Sequence, residues 1–288
     1  MSVAWLGAGL LGSGFVGKLR DRGVDVTVWN RTPAKAQALA AAGAKVAATA
    51  ADAVRGATRV HLCLSADEAV DGVLAEIVPV LGKDVVIVDH TTTSPAGTAA
   101  RAAKLAKDGR AFVHAPVFMS PGAARTGKGL MLVAGPAPLV ARVEGELKLM
   151  TGELWPVGER SDLAAAYKLM GNAMLSAILI GLTDIFTMAR ALDIPRADCL
   201  TLFEHFHPIN TLPARGAKMA QGDFAPSFAL TMARKDLGLM ADVGKGTDAP
   251  LTFIPALIAR VDQLIRDGHG AEDLGVIAID AVRSGRTA

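Results

Sequence analysis

Residues 161–194, SDLAAAYKLMGNAMLSAILIGLTDIFTMARALDI, are strong helix formers with no proline before Pro195, and they are apolar on most of the helical circumference. A helix of this kind has to be buried on several sides, so the rest of the chain is organised around it. The segments before it alternate strand and helix patterns, whereas those after it show helix patterns only. The expected architecture is therefore α/β, with a sheet domain over 1–160, an interdomain helix over 161–194 and an all-helical domain over 195–288. Lys168 and Asn172 lie four residues apart and share one face of this helix, in alanine, leucine and methionine surroundings. Lysine is expensive to bury, so its position asks for a reason. A membrane span is rejected: the uncharged run from 169 to 183 is 15 residues and includes Asn172, too short for a hydrocarbon core of about 30 Å.

The amino-terminal end reads strand (3–6), Gly7-Ala-Gly9-Leu-Leu-Gly12, helix to about residue 22, strand (26–29). A bare G-x-G-x-x-G is a weak signal, but one that directly follows a strand and opens a helix points to dinucleotide binding. Gly7 allows the tight turn, Gly9 lets the backbone approach a pyrophosphate at the positive helix end, and Gly12 lets the helix close on its strand. Leu10 and Leu11, between the glycines, are counted with the turn as cofactor contacts. The second strand ends in Trp29-Asn30-Arg31-Thr32, with Asn30 18 residues beyond Gly12, where a carboxylate would hold the ribose hydroxyls of NAD. Neutral Asn30 removes repulsion of a 2′-phosphate, Arg31 offers a guanidinium fork and Thr32 a hydroxyl, so NADP(H) is expected over NAD(H).

Further strands at 59–64, 85–89, 111–117 and 130–134, with helices between most of them, notably 95–108, make this a Rossmann-type doubly wound sheet. Ligands of such sheets sit beyond the carboxyl ends of the strands, so Cys63, Leu64, Ser65, Thr91 and Thr92 are candidate lip residues on the nicotinamide side. The run Gly122 to Gly129 nearly spells a P-loop, but Gly129 replaces the Ser or Thr that would hold magnesium, and the run leads into a strand. His205 and His207 are two apart, a spacing that does not share a helix face, so no metal site is expected. Helix patterns follow at 196–206, 210–221, 229–243, 255–266 and 271–282, and within the third of these Lys235 stands beside Asp236.

Composition narrows the partners. Thirty basic against 28 acidic residues, with no basic cluster, excludes a nucleic-acid or membrane-surface binder and leaves a small molecule. Two cysteines make no disulfide framework, and residues 1–7 lack the basic start and apolar core of a signal peptide, so a cytoplasmic protein is expected. With 51% hydrophobic residues there is more apolar surface than a monomer needs, and a homodimer or homotetramer is expected.

Together these residues resemble the β-hydroxyacid dehydrogenase family, which includes 3-hydroxyisobutyrate dehydrogenase, tartronate semialdehyde reductase and NADPH-dependent glyoxylate or succinic semialdehyde reductases. The resemblance covers essentially the whole chain and rests on the three glycines, on Asp89-His-Thr91-Thr92-Thr-Ser-Pro95, on Ala115-Pro116-Val117, on Lys168-x-x-x-Asn172 and on Lys235-Asp236-Leu237. It implies that Lys168 is the catalytic acid/base, Asn172 a substrate ligand and Lys235 a residue closing over cofactor and substrate. Where the family's substrate loop reads D-A-P-V-S-G-G, this chain has His114-Ala115-Pro116-Val117-Phe118-Met119-Ser120, and the glycine-rich turn before the lysine is absent. Phe118, Met119 and Ser120 thus become the expected substrate contacts, and Phe118 and Met119 favour a larger or less polar substrate body. The function expected is hydride transfer between NADP(H) and a small hydroxyacid or semialdehyde. The alternatives are an NADPH-dependent imine reductase, whose amino-terminal half carries a similar W-N-R-T stretch, and a non-catalytic NADP-binding protein.

Overall fold

The computed structural model describes residues 2–283. The chain forms two units, Met1–Ala173 and Met174–Ala288, with the boundary inside one helix. The first unit contains, in order, β1 (Ser2–Leu6), α1 (Leu10–Asp21), β2 (Asp25–Trp29), α2 (Pro33–Gln37), β3 (Lys45–Val46), α3 (Ala50–Val54), β4 (Arg59–Leu62), α4 (Asp67–Ile77), β5 (Val86–Asp89), α5 (Pro95–Lys107), β6 (Ala111–His114), β7 (Val117–Phe118), α6 (Pro121–Thr126), β8 (Leu130–Ala134), α7 (Ala137–Leu147), β9 (Glu153–Gly158) and the start of α8 (Asp162–Ala191). The strands lie in the order β3-β2-β1-β4-β5-β6-β8-β7, with β9 paired to β8. The first six are parallel, while β8 runs antiparallel to β6 and β7.

Strands covered on both faces are mainly apolar, and β1, β4 and β5 are almost wholly buried, with Arg59, His61 and Asp89 as their buried polar residues. The period of two divides them between two cores: Val3 and Trp5 join one, Ala4 and Leu6 the other. The strand expected over 111–117 is interrupted, because Pro116 has no N–H for the ladder, and Val117–Phe118 pair instead with Met131 and Leu130. Strand β9 is absent from the sequence reading. Its burial is mostly partial or absent and it contains Pro156, features that a short outer strand tolerates but that hide its alternation.

Beneath β1 lies a buried polar stack that the sequence did not announce. The rings of Trp5 and His61 stack at 5.0 Å, and those of Trp5 and His90 at 5.5 Å. Trp5 Nε1 donates to the Gly7 carbonyl at 3.0 Å. The Ala115 carbonyl can only accept, so His90 Nδ1 donates to it at 2.7 Å, and His90 Nε2 accepts from His61 Nδ1 at 2.9 Å. The other His61 nitrogen meets the Glu146 carboxyl on α7. Burial works to raise the Glu146 pKa, but the His61 hydrogen bond and the charges of His61 and Arg59 hold it below the ordinary carboxylate value. Glu146 is then the ionised partner of this contact. This chain of contacts links the glycine turn, the end of β5 and the loop after β6.

The second unit continues with the rest of α8, then α9 (Arg196–Leu200), α10 (Leu202–His205), α11 (Ala217–Ala220), α12 (Leu230–Gly244), α13 (Phe253–Leu264) and α14 (Ile279–Arg283). Its core gathers Leu230, Leu237, Ile254, Val261, Leu264, Val276 and Ile279, with Met188 of α8 packed against it. Asp184, 2% exposed, caps α13 by accepting from the amides of Thr252, Phe253 and Ile254 at 2.6, 2.9 and 2.8 Å. Helix α8, expected to be buried on several sides, is open over its middle in a single chain. Leu169, Met170, Met174, Leu175, Ile178 and Leu179 are between 42% and 65% exposed, because a single chain covers mainly the two ends of this helix.

Candidate active site

The glycine turn is shaped by close approach. Gly7 has φ +112°, and a Cβ there would stand 2.1 Å from the Cys63 carbonyl oxygen; one on Gly12 would stand 2.1 Å from the Gly7 oxygen. Gly9, the N-cap of α1, is different, since a Cβ there meets no protein atom within 4 Å. What its missing side chain spares is a ligand at the positive end of α1. Gly7 N donates to Trp29 O at 2.9 Å and Ala8 N to Asn30 Oδ1 at 2.9 Å, while Asn30 Nδ2 donates to Thr32 O at 3.0 Å. Asn30 thus ties the turn to the end of β2 without bringing a charge. Leu11 packs against the first core, and Leu10 is 83% exposed.

A cavity of about 460 Å³ opens beside this turn, and it brings together Gly7, Gly9, Asn30, Arg31, Thr32, Leu64 and Ser65 from the sequence reading. It also includes Lys35, which that reading missed. The signal was available: Pro33 opens a helix directly after Thr32 and places Lys35 in its first turn. Leu64 N donates to Thr91 Oγ1 at 2.9 Å, and Thr91 N to Asp89 Oδ1 at 2.9 Å, which fixes the lip at the ends of β4 and β5. Thr92 is exposed and lies outside the cavity lining. Open space at Gly9 and the amide end of α1 suit the pyrophosphate of a dinucleotide.

Lys168 lies in the first-unit portion of α8, half-buried. Its Nζ donates to Asn172 Oδ1 at 3.0 Å and stands 4.0 Å from the centroid of the Phe118 ring. Burial lowers its pKa from the ordinary lysine value. A lysine poised this way holds a proton next to an apolar wall and can give or take it at a substrate oxygen. Phe118 and Met119 go separate ways: Met119 packs against the first core, whereas Phe118 joins Leu130, Leu132, Ala134 and Ala164. Ser120 is exposed and caps α6, its hydroxyl accepting from Ala123 N at 3.2 Å, so its proton can still be donated. Lys235 lies on α12 in the second unit, 58% exposed and paired with Asp236 at 2.8 Å.

Comparison with known proteins agrees with this geometry. Residues 2–158 match the family described as the NAD binding domain of 6-phosphogluconate dehydrogenase, and residues 163–278 match the NAD-binding family of NADP-dependent 3-hydroxyisobutyrate dehydrogenase. An uncharacterised oxidoreductase, YfjR, of Bacillus subtilis (strain 168) is 27% identical over 95% of this chain and 97% of its own length. The 3-sulfolactaldehyde reductase of Escherichia coli (strain K12) is 26% identical over 96% of this chain and 94% of its own. Among solved structures, an imine reductase from Myxococcus stipitatus in complex with NADP+ superposes with a TM-score of 0.88 at 21% identity, covering 97% of this chain and 99% of that one, a likeness of fold. With both halves matched and the dinucleotide turn in place, the chain belongs to the β-hydroxyacid dehydrogenase family of NAD(P)-dependent oxidoreductases.

Proposed function

We propose that this protein reduces, or in reverse oxidises, a small substrate of the semialdehyde or hydroxyacid type with NADP(H), using Lys168 as the general acid/base. The observation that carries this reading is the Lys168 ammonium, half-buried on an apolar helix, oriented by Asn172 and lowered in pKa by burial. The bound dinucleotide supplies the hydride to the carbonyl carbon. Lys168 Nζ donates the proton to the oxygen, and in oxidation it takes that proton back. Asn172 Oδ1 holds the ammonium in one orientation, and Ser120 supplies an anion contact. The test is NADPH consumption on a panel of semialdehydes, 2-oxoacids and cyclic imines. Turnover of semialdehydes is expected. Consumption with cyclic imines alone would favour an imine reductase, and tight NADPH binding with no turnover at all a non-catalytic protein.

NADPH is the expected cofactor because Arg31 and Lys35 stand at the end of β2 with Asn30 in place of a carboxylate. Arg31→Ala should weaken NADPH binding by about 10- to 150-fold, the worth of a charge-assisted hydrogen bond, and leave NADH binding nearly unchanged. Lys35→Ala should act in the same direction and less, since its ammonium makes a point contact. Titration of each variant with both cofactors decides it; equal losses would assign Arg31 to the fold or to the adenine face.

Assembly follows from α8. A contiguous row of exposed leucine, methionine and isoleucine side chains is too large a patch for a soluble monomer. By length and hydropathy the helix could cross a membrane, yet Asp184 in its second half serves as the buried cap of α13. The occupant proposed for the exposed row is therefore a second copy of this chain. Light scattering at micromolar concentration should report a dimer or a larger closed assembly, and Leu175→Glu with Leu179→Glu should dissociate it. A monomeric wild type would overturn this.

A further inference from the structure

The Phe118 ring fills the space that Gly171 leaves on α8. A Cβ on Gly171 would stand 2.3 Å from the ring Cζ and 2.6 Å from Cε1. Gly171 is one turn from Lys168, whose Nζ lies 4.0 Å from the same ring centroid. An ammonium has three donors. One goes to Asn172, one faces the ring, and one is left for a substrate oxygen. The face of an aromatic ring is electronegative, so it attracts the ammonium and repels a carboxylate. The family that the chain resembles has serine and two glycines here, whose backbone can wrap an anion. In this chain Val117 and Phe118 are instead paired in β7 with Met131 and Leu130. A carboxylate set against the ring would give up its water and find an apolar wall in place of a donor.

We propose that Phe118 both orients Lys168 and selects the substrate: the reacting carbon carries an alkyl or aryl group on the side facing the ring, and a carboxylate attached directly to that carbon is disfavoured. This rests on Lys168 being the acid/base. In reduction the carbonyl carbon gains a hydride from the bound dinucleotide, which is oxidised, and the oxygen gains a proton from Lys168, giving an alcohol. Any carboxylate on the substrate then sits at its far end. Phe118 is the specificity residue and a positioning residue for Lys168, and Gly171 makes room for it.

The test compares 2-hexanol with 2-hydroxyhexanoate, which differ by methyl against carboxylate on the reacting carbon, binding to the full chain saturated with NADP+ and read by calorimetry. The wild type should favour 2-hexanol by about tenfold or more, and Phe118→Ser should reduce that ratio by about tenfold. A second readout needs no substrate: the Lys168 pKa, followed by NMR on 13C-labelled lysine. Phe118→Leu removes the ring, and Gly171→Ala displaces it while leaving the loop sequence intact. Each should lower the Lys168 pKa by about 0.5 to 1, because burial persists while the ring's attraction is lost. Tighter binding of the hydroxyacid by the wild type, an unchanged ratio in Phe118→Ser, or an unchanged Lys168 pKa in both variants would overturn the proposal. A Lys168→Ala enzyme that still turns over would remove the acid/base reading but leave the binding ratio standing, so the two failures are told apart.

Discussion

Lys168→Ala is expected to cut turnover by about 10² to 10⁴, the worth of a positioned acid/base, with NADPH affinity almost unchanged. Arginine makes a sharper control. Lys168→Arg keeps a cation that can lie over Phe118, but a guanidinium does not release its proton, so it too should be slow. The pH dependence follows from the direction of the Lys168 shift. Reduction needs the ammonium, and its rate should fall as pH rises through a value below that of ordinary lysine; oxidation needs the neutral amine and should rise over the same window. Stopped-flow turnover on the best substrate of the panel checks this. Activity of the alanine variant within about threefold of wild type would take the proton-transfer role away from Lys168.

The second large effect concerns stability. Glu146 is 9% exposed and faces His61, which is fully buried. Glu146→Ala removes one partner of a buried ion pair and strands the other, a change that costs about 3–5 kcal/mol. Thermal unfolding should show a Tm lower by about 6–20 °C for a unit of this size. Glu146→Gln, which can still accept from His61, should lose less. The same network sets a pH dependence. His90 is buried neutral, its pKa pushed down by burial from 6.5 to about 3, so the unfolded chain binds its proton first as pH falls. The carboxyl of Glu146 is also held low. Both contributions are fully present at pH 7 and are lost with falling pH, that of His90 from about 6.5 downward and that of Glu146 from about 4.5, each by at most about 1.4 kcal/mol per pH unit. Denaturant titrations at pH 7, 6 and 5 should show that slope flattened in His90→Asn. A Glu146→Ala protein as stable as wild type would mean that the stack is packing without charge.

Much of the fold can be read along the chain because it is written in local periods. The glycine turn, the apolar strands and the α8 helix each declare themselves within about 10 to 30 residues through spacing alone. Strand β9 fails that test because its pattern is mixed and it carries a proline. Lys35 lies beyond the strand end, in the short helix that Pro33 opens, and reaches the cavity only through that turn of chain. Phe118 and Met119 are adjacent in the chain, and no pattern distinguishes them, yet one faces the lysine and the other the core.

The sequence by itself determined the dinucleotide-binding sheet, the long helix, the helical second half and the pairing of Lys168 with Asn172, because each depends on residues that are neighbours in the chain or one helical turn apart. Only the tertiary structure decided that Phe118 lies against Gly171 and Lys168, that Glu146, His61, His90 and Trp5 form one buried stack, and that the middle of α8 is left open. These contacts join residues dozens of positions apart. Their partners are chosen by how the sheet and helices pack, and a one-dimensional pattern carries no record of that choice.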